Sequence, residues 1–224
     1  MVVLALPVAG RWLVQNSPAR RVPSHGTDLM GGRYAIDFVA VDHRRHTATR
    51  RDWRTALTTE PPERYLAFGR PVLAPADGTV VAIHDHEVDH AGRRSQLALL
   101  GYMLGQPARV RAGADAVAGN RVILALRDGG IYVALVHLRE GSLRVRVGDA
   151  VTTGQPLAQC GNSGNSTQPH LHLQAMDSLD LGHARGVPVE FRDFREWVGR
   201  APHPLVRAVG IPGEGCVVES VTPD

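Results

Sequence analysis

The residues most able to do chemistry in this sequence are polar side chains that interrupt apolar strands. In Tyr34-Ala-Ile-Asp37-Phe-Val-Ala-Val41 both faces are apolar, so the segment reads as a strand buried on both sides. A carboxylate there is costly unless a partner or a metal compensates it. In Ile131-Tyr-Val-Ala-Leu-Val-His137-Leu138 the same reasoning singles out His137. In Pro169-His170-Leu-His172-Leu-Gln174, strand alternation places His170 and His172 on one face, with Leu171 and Leu173 on the other. Two imidazoles side by side above an apolar layer suit metal ligation or acid–base work. With a buried aspartate added, the set fits a catalytic zinc, which takes three imidazole or carboxylate ligands and keeps a position for water. No helical H-E-x-x-H arrangement is present, so histidines beyond the ligands would have to handle protons. His84-Asp85-His86 with His90 is a rival H-x-H cluster, read as the solvated end of a hairpin rather than a second metal site.

The elements that must position these groups are short, β-branched or apolar, and bounded by glycine or proline. They are Arg33–Val41, Pro71–Ile83, Asn120–Leu138 and His170–Ala175, with a hairpin turn at Arg127-Asp-Gly-Gly130. Such spacing predicts an all-β fold, an antiparallel β sandwich or barrel-like sheet. Polar insertions at about 42–69 and 87–119 interrupt it, with short helices expected near Asp52–Leu57 and Ser95–Leu104. Phe191–Val198 reads as one or two further helical turns. One domain is expected over residues 1–200, and residues 201–224 as a tail packed on the surface.

Composition narrows the function. The 224 residues include no lysine, so the net charge of +3 rests on arginine alone. Schiff-base chemistry, a biotinyl or lipoyl attachment point and a Walker-type phosphate lysine are thereby excluded. The arginines are scattered apart from pairs such as Arg44–Arg45, which read as solvated loops, not as a nucleic-acid track. Cys160 and Cys216 are too few for a cystine scaffold and wrongly spaced for a thiolate zinc site. The opening MVVLALPVAG is apolar but has no basic start, so it reads as a first strand, not as a signal peptide or membrane span.

The segment from His137 to His172, with Gly148-Asp-Ala-Val-Thr-Thr-Gly-Gln155 and Gly161-Asn-Ser-Gly-Asn-Ser-Thr-Gln-Pro-His-Leu-His172, resembles the core of the lysostaphin/LytM-type zinc endopeptidases, peptidase family M23. Leu73-Ala-Pro-Ala-Asp-Gly-Thr-Val80 is similar to that family's earlier A-P-x-x-G-x-V strand. The resemblance implies an antiparallel sandwich of the duplicated hybrid motif type with an open groove, and one zinc per chain held by His25, Asp37 and His172. His137 and His170 would then be the two catalytic, non-ligand histidines. His25 precedes Asp37 by twelve residues, where many members have four. Asp28 lies nearer but reads as a turn residue in a glycine-rich loop. The implied reaction is hydrolysis of peptide bonds in peptidoglycan stem or cross-bridge peptides, which implies action at the cell envelope or outside the cell. The alternative is a non-catalytic wall-binding or regulatory module of the same fold.

Overall fold

The computed structural model describes residues 1–49, 59–93, 114–127 and 129–221. Fourteen strands are formed among them: β1 (Val2–Ala5), β2 (Trp12–Gln15), β3 (Ile36–Ala40), β4 (Pro71–Leu73), β5 (Gly78–His84), β6 (Asn120–Leu126) and β7 (Tyr132–Leu138), then β8 (Ala150–Val151), β9 (Pro156–Gln159), β10 (Leu171–Met176), β11 (Gly186–Val187), β12 (Val189–Trp197), β13 (Leu205–Gly210) and β14 (Val217–Ser220). Ten run in the order β1-β12-β14-β2-β3-β10-β7-β6-β5-β8, with β11 added to β10 and β13 to β12. All of these pairings are antiparallel except β1 with β12. The all-β reading holds. The two helices expected in the insertions lie outside the described residues, and a short helix at Ala114–Ala118 closes the second insertion.

The large sheet has two unlike faces because its strands alternate. Phe38, Leu171, Leu173, Leu135 and Leu124 point to one side and are fully buried. There they pack with Leu157 and Val72 of the two-stranded β4–β9 sheet, and with Leu6 and Val8 from the chain start. Phe38 meets Phe191 edge to face, ring centroids 5.5 Å apart. The opposite face carries the groove.

Two expectations fail. Phe191–Val198 is not helical: it lies mostly in the nine-residue strand β12. Phe191 and Phe194 are three apart and both buried, which mimics a helical period, because Asp193 adopts a left-handed backbone (φ 53°) that resets the alternation. The segment after residue 200 is likewise not only a surface wrap. β14 is hydrogen-bonded between β12 and β2, with Val218 fully buried opposite Trp12. Its apolar run, Cys216-Val-Val218, is too short for pattern alone to mark as a strand.

Candidate metal centre

Across the groove face one row of residues crosses five strands. Gln15 pairs with Asp37, Asp37 with His172, His172 with Val136 and Val136 with Arg121. Directly opposed residues on adjacent strands project from the same face with Cβ atoms about 5 Å apart. Asp37 and His172 are thus brought together by register, although 135 residues separate them. The burial of every residue of β3 bears out the reading of a strand covered on both sides.

His25 arrives from a loop. Between it and Asp37, Leu29–Tyr34 forms a tight 3₁₀ segment broken by left-handed Met30 and Gly31 (φ 56° and 77°), and this folds the longer connection back on itself. The donor atoms of His25, Asp37 and His172 all lie within 4.8 Å of one another. His25 Nε2–H donates to Asp37 Oδ2 at 3.0 Å and His172 Nδ1–H to Oδ1 at 2.9 Å. Asn16 Nδ2 donates to Oδ2 at 2.7 Å. Burial alone would raise the Asp37 pKa, but the charge of His170 and the hydrogen bonds of His172 and His25 hold it well below the usual carboxylate range.

The outer nitrogens of the two ligand-type histidines are also held. His25 Nδ1 meets the buried Ser24 hydroxyl at 3.0 Å. His172 Nε2–H donates to Gln174 Oε1 at 3.1 Å, and the other end of that amide donates to the Met30 carbonyl at 2.6 Å. With the outer nitrogen of each ring partnered in this way, a cation that displaces the inner proton would meet a lone pair directed at it beside Asp37. That donor set, two imidazoles and one carboxylate with oriented outer partners, fits zinc.

His137 and His170 complete the cluster. Their ring centroids are 4.8 Å apart, and His137 lies 5.9 Å from His172. His170 Nε2 is 3.7 Å from Asp37 Oδ1. His137 reaches the groove by an irregularity. Strict alternation along β7 would send it to the same side as Leu135, but the β6–β7 register slips so that Arg121 pairs with Val136 and His137 has no partner across the ladder. Its backbone is left-handed (φ 62°), which turns the side chain to the groove face. Nδ1–H of His137 donates to the Ser163 carbonyl at 2.9 Å, and Nδ1–H of His170 to the Gln168 carbonyl at 2.8 Å. Burial, then the charges of His170 and His172, push the His137 pKa well below the ordinary imidazole value.

Both carbonyls belong to the loop 161–168. Ser163 Oγ is wedged between the Leu138 carbonyl and the Asn120 N–H, at 2.8 and 3.0 Å. Gly164 (φ 67°) touches Gly119 so closely that a Cβ on it would lie 2.5 Å from the Gly119 nitrogen. His90 Nε2 donates to the Gly164 carbonyl at 2.8 Å and Asp89 accepts from the Asn162 N–H. Asp89 and His90 thus brace this loop. Among the described residues no ligand group forms from His84, His86 and His90. Asp28 is not among the converging ligand-type groups and instead takes Arg33 Nη1 on both its oxygens, at 2.9 and 2.8 Å.

Residues 106–187 match the model of Peptidase family M23. The resemblance read in the sequence holds. The matched segment contains His137, His170 and His172, whereas His25 and Asp37 precede it and join them only through the fold. Glycyl-glycine endopeptidase ALE-1 of Staphylococcus capitis is 36% identical over 73 residues, 33% of this chain and 20% of that protein. The chain thus spans about a fifth of the length of that curated relative. The catalytic domain of the antimicrobial peptidase lysostaphin from Staphylococcus simulans is 21% identical, covering 72% of this chain and 86% of that one with a TM-score of 0.40. A catalytic-domain mutant of the prophage-encoded M23 protein EnpA from Enterococcus faecalis is 18% identical, covering 69% and 73%, with a TM-score of 0.39.

Of the supporting residues, Gln174 was accessible to sequence reasoning, because it continues the His170, His172 alternation. Asn16 and Ser24 carry no local signal, and Ser163 lies in the Gly161–His172 motif but shows its role only through contacts made by the folded chain.

Proposed function

We propose that this protein is a zinc-dependent endopeptidase acting on stem or cross-bridge peptides of peptidoglycan. The observation that carries the reading is the convergence of His25, Asp37 and His172 within 4.8 Å, with two further imidazoles against them. The M23 segment and the name of the Staphylococcus capitis relative support the substrate class.

Zinc in this donor set supplies Lewis-acid polarisation of the scissile carbonyl and a nucleophilic water near neutral pH. The chain's own residues do the rest. His137 and His170 each spend Nδ1–H on a carbonyl, so Nε2 is the basic nitrogen of each neutral ring. One of the two takes the proton of the attacking water, and the other supports the developing oxyanion. Burial, then the charges of His170 and His172, lower the His137 pKa and so favour its neutral ring. Asp37 contributes one negative charge, so the occupied site keeps a net positive charge towards the oxyanion. The groove, about 390 Å³, is walled beside the centre by Ile123, Ala134, Val136 and Leu181. Such a wall suits an extended chain with small apolar or absent side chains.

Incubating zinc-loaded protein with purified sacculi and with oligoglycine, then mapping new amino termini, tests the reading. His172→Ala is expected to lose zinc. His137→Ala is expected to retain it and lose hydrolysis. Full zinc stoichiometry in the His172 variant would remove the assignment.

A further inference from the structure

A second concavity, of about 530 Å³, lies beside the ends of β2, β3 and β12 and is lined by four arginines and one aspartate. Arg11, Arg44, Arg45 and Arg200 line it with His43 and Trp197. The carboxylate, Asp42, is occupied locally. Its Oδ1 accepts the N–H groups of Arg44 and His46, both at 2.8 Å, and its Oδ2 meets His46 Nδ1 at 3.1 Å. Arg45 is spent on the wall, donating to the carbonyls of Gly215 and Trp197 at 3.2 and 3.1 Å. Arg11 lies over the Trp197 ring at 4.5 Å, a stacking that fixes the guanidinium plane and leaves its N–H edges for another acceptor. Arg11, Arg44 and Arg200 have no carboxylate partner among the described residues and are exposed.

We propose that this concavity is a binding site for phosphate-class anions, distinct from the metal centre. Guanidinium forks match phosphate oxygens two at a time, and an open cavity lined by Arg11, Arg44 and Arg200 without a carboxylate partner suits a ligand with more than a single negative charge. A lone carboxylate would leave most of that charge unanswered. Asp42 at the edge of the cavity is five residues along the chain from Asp37, a span of at most about 17 Å even if fully extended. A long anionic chain held there would reach the groove. The ligand is either a phosphate in a phosphodiester polymer or a free oligophosphate.

The test is calorimetric titration of the full chain with inorganic tripolyphosphate and, separately, with poly(glycerol phosphate), at low and moderate salt. Saturable binding is expected to at least one probe, weakening as salt rises. Arg44→Glu/Arg200→Glu should weaken it at least tenfold, and Arg44→Gln/Arg200→Gln by less. The control Arg144→Glu/Arg146→Glu makes the same charge change at exposed positions away from the cavity and should bind as the wild type does. Polymer binding alone assigns the site to a repeating chain, and tripolyphosphate binding alone to a free anion. An equal loss in the control and in the cavity variants, or no wild-type binding to either probe at low salt, overturns the proposal. His172→Ala should bind both probes unchanged, so failure here is separable from failure of the hydrolase reading.

Discussion

Replacing Gln174 tests whether the outer partner of His172 sets the metal affinity. Both nitrogens of His172 face acceptors, Asp37 Oδ1 at 2.9 Å and Gln174 Oε1 at 3.1 Å. A cation takes the place of the Nδ1 proton only if the remaining proton is held on Nε2, which is the service of the Gln174 oxygen. The amide cannot turn away freely, because its nitrogen is tied to the Met30 carbonyl at 2.6 Å and the residue is only 8% exposed. Gln174→Leu keeps the bulk and removes both bonds. Loss of such an outer partner weakens metal binding about 10–100-fold, or roughly 1.4–2.8 kcal/mol. The unpaired Met30 carbonyl and His172 N–H would cost the metal-free fold about 1–3 kcal/mol each, an upper range because groove water can reach them. Gln174→Glu keeps the acceptor for His172 while setting a carboxylate against the Met30 carbonyl. It should hold zinc about as well as the wild type yet unfold earlier. Competition with a chromophoric chelator gives the zinc affinity, and urea unfolding of the metal-free protein gives the stability. A folded Gln174→Leu protein binding zinc within about twofold of the wild type would refute the reasoning.

Three further outcomes follow from the same structure. Gly164→Ala forces a side chain into a left-handed backbone 2.5 Å from Gly119, so urea unfolding should show a loss of about 2 kcal/mol or more, with hydrolysis falling as the loop loosens. Cys160 and Cys216 are both buried free thiols, and burial with the nearby Asp89 raises the Cys160 pKa. Iodoacetamide at pH 8 should leave Cys160 unlabelled in the folded protein and label it after unfolding, as read by mass spectrometry. Asp77 accepts from the Thr153 N–H at 2.8 Å and its hydroxyl at 3.0 Å, which lowers the Asp77 pKa from its usual value near 3.8. Its stabilising effect is present above that value and is lost as pH falls through the lowered folded one, so the melting temperature of Asp77→Asn should fall less than that of the wild type over this acid range.

Where a strand keeps a strict period of two, the sequence was enough to place its side chains. His170, His172 and Gln174 follow the alternation of β10, and Asp37 is conspicuous inside β3 because every neighbour is apolar and buried. The joining of His25 to Asp37 was not derivable from spacing, since it depends on the 3₁₀ segment and on left-handed Met30 and Gly31. The motif resemblance pointed there; the physics of the intervening residues did not. β12 mimics a helical period for a related reason. A single left-handed residue, Asp193, moved Phe194 onto the face of Phe191 and produced a spacing of three inside an extended chain.

His137 shows why such irregularities gather at a site. A regular strand can give its groove face only alternate residues, so β7 would supply Ala134 and Val136 while His137 sank among the core leucines. The slip opposite Asn120 and Arg121 puts Val136 and His137 into the groove together and still returns Leu138 to the core. A left-handed non-glycine residue costs about 1–2 kcal/mol. Here the conformation is held by the Ser163 carbonyl on Nδ1, the Gly161 N–H on the His137 carbonyl at 3.0 Å, and the Ser163 hydroxyl on Leu138. The glycine- and serine-rich loop is therefore the complement of the bulge. Its carbonyl fixes the tautomer of the ring, and its small residues let the backbone approach closely enough to do so.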